Sequence, residues 1–261
     1  MSVDNPLSLF DVKGKVALIT GASGAFGAVA ARALSGAGCR VVLVAGNLDA
    51  MTEVSKQCQG ETHLINARPD SEASCKSIVD ETVDVFGRVD ILVVASGMNK
   101  VAKITDMDVI DFDSIIDANV RQSWLMSRAV SAQMKQQQST GKIILMSSAR
   151  GLLGHPAGYT AYCASKSAVD GMTKALGCEL GSEGITVNAI APTVFRSPLT
   201  AWMFEDTEEA KAVREGFLTR VPLGRLGEPE DLAGPLLFLS SKASDFYTGH
   251  IIYADGGYTA G

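Results

Sequence analysis

Short, almost continuously apolar runs alternate with longer segments of helical period along the whole chain. The stronger runs are 15–19, 40–44, 89–94, 142–146 and 185–190, and the weaker ones are 62–65 and 250–253. Strands that are buried on both faces of a parallel sheet have this composition. The segments between them, such as 71–86 and 159–180, supply the crossover helices. The pattern predicts an α/β fold with a doubly wound parallel sheet of about seven strands and helices on both faces.

The chain shows no internal repeat, low-complexity tract or Pro/Ser-rich linker. We therefore expect one domain over residues 1–261, a length that a single α/β domain commonly reaches. One stretch, at about 193–228, breaks the alternation with mixed polar and aromatic residues, and such an excursion is typical of a substrate-binding segment. Its Phe195 and Trp202 are expected to cover the core rather than to contact a substrate.

The charge and the composition exclude several classes of protein. Lysine and arginine number 23 against 29 aspartate and glutamate, so the formal net charge of −6 does not favour nucleic acid as a partner. The chain has no apolar run of the roughly 18 residues that a membrane span needs, and no secretory leader is readable at the start. The five cysteines and three histidines show no metal-ligand spacing, so no metal site is predicted. We expect a cytoplasmic protein with reduced thiols.

A glycine-rich turn follows the first apolar run directly and opens a segment of small residues. The turn reads Thr-Gly-Ala-Ser-Gly-Ala-Phe-Gly over residues 20–27. Glycines at such a strand-to-helix turn allow a tight bend and a close approach of the backbone to a pyrophosphate, whose charge the helix N-terminus favours. The turn predicts a dinucleotide site in a Rossmann-type fold. Its candidate contacts are Gly21, Ser23, Gly24, Ala25, Phe26 and Gly27.

The residue that selects between NAD and NADP is missing from its expected place. A carboxylate at the end of the second strand would bind the adenosine ribose 2′-hydroxyl, but that strand ends in Ala45, Gly46 and Asn47. The nearby Asp49 is predicted to be an exposed residue at the start of the next helix. The cofactor is therefore NAD or NADP. Because no carboxylate repels a 2′-phosphate, NADP is slightly favoured, with Arg40 and Arg68 as basic candidates.

A tyrosine and a lysine four residues apart, Tyr162 and Lys166, suggest acid–base chemistry. This spacing places both side chains on one face of a helix. A phenol has a pKa of about 10, and a neighbouring ammonium group favours the phenolate. A strand that ends in two hydroxyl residues, Ser147 and Ser148, precedes them, at the edge of the sheet where α/β folds place their chemistry.

These motifs resemble those of the short-chain dehydrogenase/reductase family, from about residue 9 to residue 261. The family's turn reads T-G-x-x-x-G-x-G, with Ala25 here in place of its middle glycine, and its N-N-A-G motif corresponds to Val94-Ala-Ser-Gly97. The resemblance implies an NAD(P)-dependent oxidoreductase that interconverts a secondary alcohol and a ketone. It implies the catalytic residues Asn119, Ser148, Tyr162 and Lys166, and cofactor contacts at Asn47, Gly97, Tyr162, Lys166, Pro192 and Val194.

The family also implies a role for each catalytic residue. Tyr162 exchanges a proton with the substrate, and Ser148 hydrogen-bonds the reacting oxygen. Lys166 lowers the pKa of the tyrosine and holds the nicotinamide ribose, while Asn119 positions a water in a proton relay. The tyrosine lies 14 residues after Ser148, one more than is usual in the family. We interpret this as an extra residue in the loop 154–158, with Ser147 as a weaker alternative to Ser148.

The substrate is less defined than the reaction. Arg150, His155 and Arg196 lie on loops expected at the mouth of the site, and they suggest a small hydroxy or keto compound such as a sugar acid or a polyol. Small residues at 161, 164, 168, 171 and 175 form a stripe that packing against the sheet explains most simply, although the family pairs this helix across a subunit interface. The resemblance thus implies a homotetramer. Because several family residues are altered in the cofactor half, a catalytically silent nucleotide-binding or sensor protein is the alternative.

Overall fold

Seven parallel strands form one sheet in the computed structural model, which describes residues 4–198 and 200–261. Their order across the sheet is β3-β2-β1-β4-β5-β6-β7, and every neighbouring pair is parallel. The strands are β1 Val16–Thr20, β2 Arg40–Val44, β3 Thr62–Ile65, β4 Ile91–Val94, β5 Gly141–Met146, β6 Ile185–Pro192 and β7 Ile251–Ala254. This confirms the predicted fold class, and every predicted apolar run overlaps a strand.

Helices cover both faces of the sheet. They are α1 Ala25–Gly36, α2 Leu48–Ser55, α3 Glu72–Phe86, α4 Val109–Ile116, α5 Gln122–Gln136, α6 Thr160–Leu180, α7 Glu208–Leu218 and α8 Glu230–Ser240. Alternate residues of each strand point to opposite faces, so Val16 and Leu18 pack with α3, α5 and α6, while Ala17 and Ile19 pack with α1, α2 and α8. The sheet therefore lies between two apolar layers.

The order in which the chain adds strands to the sheet reverses between β1 and β4. From β1 the chain builds outward to β2 and β3, and it then returns to build β4 to β7 on the other side. In such sheets, ligands bind in the crevice outside the carboxyl ends of the strands at this switch point. The ends of β1, β4 and β5 at Thr20, Val94 and Met146 accordingly form the floor of the candidate site.

The excursion at 193–228 has secondary structure of its own. It contains a short 3₁₀ turn, Ala201–Phe204, followed by α7, and Phe195 bridges to Gly227 where the excursion returns to the sheet. Phe195 is 5% exposed, which confirms that it covers the core, whereas Trp202 is 46% exposed and the same expectation for it is wrong. No helix among the described residues is long and apolar enough to span a membrane.

The stripe of small residues on α6 faces away from the sheet. Ala161 is buried, but Ala164, Ala168, Gly171 and Ala175 are exposed. The explanation by packing against the sheet is therefore wrong for four of the five positions. The sheet-facing side of α6 is instead formed by residues such as Val169, Thr173 and Leu180, which are offset around the helix from the stripe.

Candidate active site

The glycine turn brings the end of β1 into close contact with two neighbouring segments. Gly21 has a φ of +66°, and a Cβ there would lie 2.5 Å from the backbone nitrogen of Ser96, beyond the end of β4. A Cβ on Gly27 would lie 2.2 Å from the carbonyl oxygen of Gly21. Only glycine fits at these two positions, so the backbone forms a narrow cradle where α1 begins. Such a cradle at a helix N-terminus suits the pyrophosphate of a dinucleotide.

The other candidate residues of the turn line the same cradle. Gly24 is the N-cap of α1, Ala25 is the first residue of that helix, and Ser23 precedes both. The Phe26 ring lies edge-on to the Phe195 ring, with 6.0 Å between the ring centroids. The turn is therefore packed against the start of the excursion.

Gly97 lies at the centre of the site, next to two predicted catalytic residues. A Cβ on Gly97 would lie 2.9 Å from the Asn119 Oδ1 atom and 3.7 Å from the Lys166 Nζ atom. Just before it, the Ser96 hydroxyl lies 3.2 Å from the Thr20 hydroxyl, which ties the end of β4 to the end of β1. Ser96, which corresponds to the alanine of the N-N-A-G motif, thus makes a cross-strand contact through its hydroxyl.

Asn119 lies in a π-helical turn, Asp117–Arg121, between α4 and α5, and it is 1% exposed. Its Nδ2 group donates to the Met98 carbonyl and to the Ser165 hydroxyl, both at 2.9 Å. Its Oδ1 atom accepts from the Met98 backbone N–H at 2.7 Å. Because both N–H donors are used, the side chain links the β4 loop to α6. The expected role of Asn119 in positioning a water stays a prediction.

The two serines after β5 point to different partners. The Ser147 hydroxyl donates to Asp170 Oδ1 at 2.5 Å. The Ser148 side chain accepts the Arg150 backbone N–H at 3.1 Å and hydrogen-bonds Tyr162. Successive residues of an extended strand alternate in direction, so only one of the pair can face the tyrosine. The geometry favours Ser148 over Ser147 as the serine next to the reacting group.

Tyr162 and Lys166 lie one turn apart on the first half of α6, as their spacing predicts. The Lys166 Nζ atom lies 5.6 Å from the centroid of the Tyr162 ring and donates to the Met146 carbonyl at 2.7 Å. Lys166 is 5% exposed. The structure therefore brings Asn119, Ser148, Tyr162 and Lys166 together at the carboxyl ends of β4 and β5.

The two titratable groups of this cluster respond to burial in opposite directions. Burial raises the pKa of Tyr162, and the hydrogen bond from Ser148 is the largest contribution that lowers it. Burial also lowers the pKa of Lys166 to about 8, against an opposing contribution from Asp170. In the protein alone, burial thus favours the neutral phenol, which can donate a proton. That Lys166 lowers the pKa of Tyr162 when a nicotinamide is bound stays a prediction.

Asn47 and Arg68 lie at the far end of the cofactor crevice, beside the end of β2. Asn47 caps α2 through its Oδ1 atom, which accepts the Ala50 N–H at 3.0 Å. The Arg68 side chain covers Gly46, where a Cβ would lie 2.7 Å from the Arg68 Nε atom. Asp49 is exposed in the first turn of α2, as predicted.

Arg40 lies at the opposite end of β2 from these residues. It is the first residue of β2, it donates to the Gly14 carbonyl at 3.4 Å, and its guanidinium lies over the Phe86 ring. Of the two arginines that the sequence offers for a 2′-phosphate, only Arg68 lies at the end of the sheet that carries the site.

The nicotinamide end of the predicted site is bordered by the end of β6. Pro192 is the last residue of this strand and pairs with Ala254 of β7. The carbonyl of the half-buried Val194 accepts the Gly227 N–H at 3.0 Å. Both residues therefore lie where the excursion leaves and rejoins the sheet.

Arg150 contacts the C-terminal segment, a contact that sequence reasoning missed. It donates to the Gly154 carbonyl at 2.9 Å and to the Tyr258 hydroxyl at 2.8 Å. Tyr258 is 1% exposed, its ring stacks on Phe217, and the Arg220 guanidinium lies 4.4 Å from its centroid. Neither arginine is in an ion pair among residues 4–198 and 200–261. Two guanidinium groups thus converge on one buried phenol, beside the loop that follows Ser148.

His155 and Arg196 have different surroundings. The His155 ring lies 4.6 Å from the Tyr159 ring, and burial together with Arg150 and Arg220 lowers its pKa. Arg196 is exposed and holds Glu228 in a two-pronged ion pair with distances of 2.8 to 3.1 Å. His155 therefore borders the cluster of Tyr162, whereas Arg196 is engaged at the outer edge of the excursion.

Comparison with known proteins adds evidence of relationship. A model of the family described as enoyl-(acyl carrier protein) reductase matches residues 21–259. An uncharacterized oxidoreductase of Mycobacterium tuberculosis (strain ATCC 25618 / H37Rv) is 49% identical over 255 residues, which cover 97% of this chain and 94% of that protein. A 3-oxoacyl-(acyl-carrier-protein) reductase of Thermotoga maritima is 34% identical, with 94% of this chain and 98% of that protein covered.

A solved structure superposes over nearly the whole chain. It is a protein of Agrobacterium tumefaciens, provisionally assigned as a 2-deoxy-D-gluconate 3-dehydrogenase and crystallised with bound NADP. The TM-score is 0.83 at 30% identity, and the superposition covers 97% of this chain and 99% of that one.

Proposed function

The chain belongs to the short-chain dehydrogenase/reductase family of NAD(P)-dependent oxidoreductases, and we propose that it reduces or oxidises a small acidic hydroxy or keto compound with NADP(H). The observation that supports this most is the convergence of Asn119, Ser148, Tyr162 and Lys166 beside a glycine cradle. When bound, the cofactor supplies or accepts a hydride at its nicotinamide ring. The residues of the chain supply the proton and bind the reacting oxygen.

Each residue of this cluster has a distinct part in the proposed reaction. Tyr162 donates its phenolic proton to the substrate oxygen during reduction and receives it back during oxidation. The Ser148 hydroxyl binds the same oxygen and stabilises the negative charge that develops there. The ammonium group of Lys166 stabilises the phenolate that Tyr162 forms after it has donated its proton. Asn119 holds the Gly97–Met98 backbone against α6.

NADP is the proposed cofactor because Arg68 lies over the bare backbone of Gly46. The residues that follow β2 directly, Ala45, Gly46 and Asn47, carry no carboxylate, and Arg68 is in no ion pair among the described residues. Guanidinium groups bind phosphates through charge-assisted hydrogen bonds worth about 1.5–3 kcal/mol. Arg68 would therefore favour NADP over NAD.

The test of this preference compares two arginine variants. Arg68→Ala should raise the Kd for NADPH about tenfold or more and leave the Kd for NADH within twofold, as measured by the fluorescence of the bound dihydronicotinamide. Arg40→Ala is the matched control, because Arg40 lies at the other end of β2, and it should change neither value. Equal weakening of both cofactors by Arg68→Ala would contradict the assignment.

An acidic substrate is proposed because Arg150 and Arg220 bring two positive charges to the mouth of the site. Both lie against Tyr258, and Arg150 follows Ser148 by two residues. Reduction of acetoacetate should therefore be faster, in kcat/KM, than reduction of its ethyl ester, followed at 340 nm. Arg220→Gln should lower kcat/KM for acetoacetate about tenfold and leave the ester unchanged. A preference for the ester in the unaltered protein would contradict this proposal.

We further propose that the protein is a homotetramer that buries the outer face of α6. The exposed stripe Ala164, Ala168, Gly171 and Ala175 permits close helix approach. Large apolar side chains are exposed on the neighbouring helices at Val109, Ile110, Phe112 and Trp124. Exposed apolar areas of this kind mark protein interfaces. Light scattering should give four times the 27.4 kDa chain mass, and Ala168→Arg should reduce that mass; a monomeric unaltered protein would contradict the proposal.

A further inference from the structure

A buried carboxylate lies directly behind the catalytic cluster. Asp170 is one turn after Lys166 on α6 and is 7% exposed. A buried carboxylate is costly unless hydrogen bonds and a positive charge compensate it. The roles given to Tyr162, Ser148 and Lys166 make no use of this group, so its presence requires a separate explanation.

The two oxygens of Asp170 contact the segment that carries Ser148. Oδ1 accepts the Ser147 hydroxyl at 2.5 Å. Oδ2 is so close to Gly151 that a Cβ there would lie 2.5 Å away. Gly151 in turn donates its backbone N–H to the Ser148 carbonyl at 2.8 Å. Asp170 therefore supports this segment at both of its ends.

Lys166 has few other groups to compensate its buried charge. Its Nζ atom donates to the Met146 carbonyl and faces the Tyr162 ring, and it is in no ion pair among the described residues. Asp170 is the anionic side chain that acts on it, and it raises the pKa of Lys166 against the effect of burial. Without that carboxylate the ammonium would be less stable.

We propose that Asp170 is a positioning residue that holds the Ser147–Gly151 segment in place and keeps Lys166 in its charged form at the pH of catalysis. The charge of Lys166 stabilises the phenolate of Tyr162, so Asp170 acts on the reaction through Lys166 without touching the substrate. The inference rests on the proposed roles of Tyr162 and Lys166.

Other titratable and charged groups also face Asp170. Burial raises the pKa of Asp170, against lowering contributions from the hydrogen bond with Ser147 at the end of β5 and from Lys174 and Lys166 on its own helix. From β7, Tyr253 faces the carboxylate, and burial together with the charge of Asp170 raises the pKa of Tyr253. None of these contacts replaces Asp170 as the anion beside Lys166, since the other facing groups are cationic or neutral.

The test uses Asp170→Asn, which keeps the volume of the side chain and an acceptor for Ser147 but removes the charge. Opposite charges within a few ångströms shift a pKa by roughly 1–3 units. In the unaltered protein, NADPH binding and the kcat for acetoacetate reduction should both fall as Lys166 loses its proton with rising pH. In Asp170→Asn, we expect the pH at which both quantities fall to move down by about one unit.

Three further variants separate the effect of the Asp170 charge from its structural support of the Ser147–Gly151 segment. Asp170→Glu restores the charge. The pH at which NADPH binding and kcat fall should then return towards that of the unaltered protein, even if kcat itself stays low. Ser147→Ala removes the hydrogen bond but keeps the carboxylate, so it should lower kcat without moving that pH downward. Asp80→Asn is the matched control, because it removes one exposed carboxylate from α3, and its pH profile should not change.

The outcomes distinguish this inference from the proposed function. If the unaltered protein binds NADPH and loses that binding with rising pH, but Asp170→Asn shows the same midpoint, the inference is overturned and the proposed function stands. A purely structural Asp170 would lower kcat and thermal stability without moving either pH profile. If the unaltered protein binds neither NADPH nor NADP, both proposals fail together.

Discussion

Replacing Asn119 by alanine removes three hydrogen bonds that join the β4 loop to the catalytic helix. The amide donates to the Met98 carbonyl and to the Ser165 hydroxyl, and it accepts the Met98 N–H. The Ser165 hydroxyl itself donates to the Tyr162 carbonyl at 2.8 Å. The variant therefore disturbs the backbone next to Gly97 and the first turn of the tyrosine helix together.

The expected loss in the free energy of unfolding follows from the number of hydrogen bonds that Asn119 makes and from their burial. Each hydrogen bond contributes about 1 kcal/mol to the free energy of unfolding, so the three lost by Asn119→Ala amount to about 3 kcal/mol. For a chain of this length, 1 kcal/mol corresponds to roughly 2–4 °C in the melting temperature. We expect Asn119→Ala to lower the melting temperature by about 6–12 °C and kcat by at least about tenfold.

The assay measures thermal unfolding by circular dichroism and steady-state reduction at 340 nm on the same samples. Asn99→Ala is the control, since Asn99 is an exposed residue of the same loop, and it should change neither quantity. A variant Asn119→Ala with an unchanged melting temperature and a low kcat would refute the reasoning. That result would favour the water-positioning role that the family resemblance implies over the linking role seen in the structure.

Further predictions concern the reacting phenol and the cofactor cradle. Tyr162→Phe should lower kcat by about 100-fold or more, since general acid–base catalysis contributes 10²–10⁴-fold, while the Kd for NADPH stays within twofold; near-normal turnover would contradict the role of Tyr162. Gly27→Ala should abolish NADPH binding and lower the melting temperature, because its Cβ would lie 2.2 Å from the Gly21 carbonyl oxygen. Gly234→Ala is the control for that variant, since a Cβ on this α8 residue meets nothing within 4 Å, and it should stabilise by about 0.5–1 kcal/mol. Loss of binding in both glycine variants would argue against a local effect of the cradle.

The strands were predictable because burial on both faces leaves a continuous apolar signal. The run 40–44 coincides with β2, and the run 62–65 coincides with β3. The prediction was less accurate for β6, which continues to Pro192, two residues beyond its apolar run. There the strand is extended by pairing with β7, and a non-local contact of that kind leaves no local pattern in the sequence.

The face of α6 that carries the proposed catalytic residues was also predictable, and its periodicity extends to one further residue. Residues 162, 166 and 170 follow one another at helical spacing, so an aspartate at 170 continues the face that carries Tyr162 and Lys166. The sequence offers its hydrogen-bond partner Ser147 only as a weaker alternative to Ser148. Strand alternation determines which hydroxyl faces the tyrosine, but the phase of that alternation depends on where β5 meets α6, which only the structure provides.

The contacts of the C-terminal segment lay beyond sequence reasoning. Tyr258 meets Arg150 across 108 positions of the chain, and Arg220 approaches the same ring from the end of the excursion. Neither contact has a periodic or motif signal. Both depend on the way the chain after β7 folds back over the loop that follows Ser148, so a substrate role for Arg150 could be suggested from the sequence but its surroundings could not.

The burial of Lys166 bears on whether the protein is an enzyme or a catalytically silent nucleotide-binding protein. The departures from the family in the cofactor half occur at Ala25 and at the residues before Gly97, whereas Gly21 and Gly27, whose lack of a Cβ the packing requires, are both present. An ammonium group that is 5% exposed lowers the free energy of unfolding unless something compensates it, and its pKa of about 8 shows that the compensation is incomplete. A protein that only bound a nucleotide could also use this ammonium group, but it would have no need for a buried phenol next to it. Retention of Lys166 beside a neutral phenol is therefore best explained by proton transfer at Tyr162.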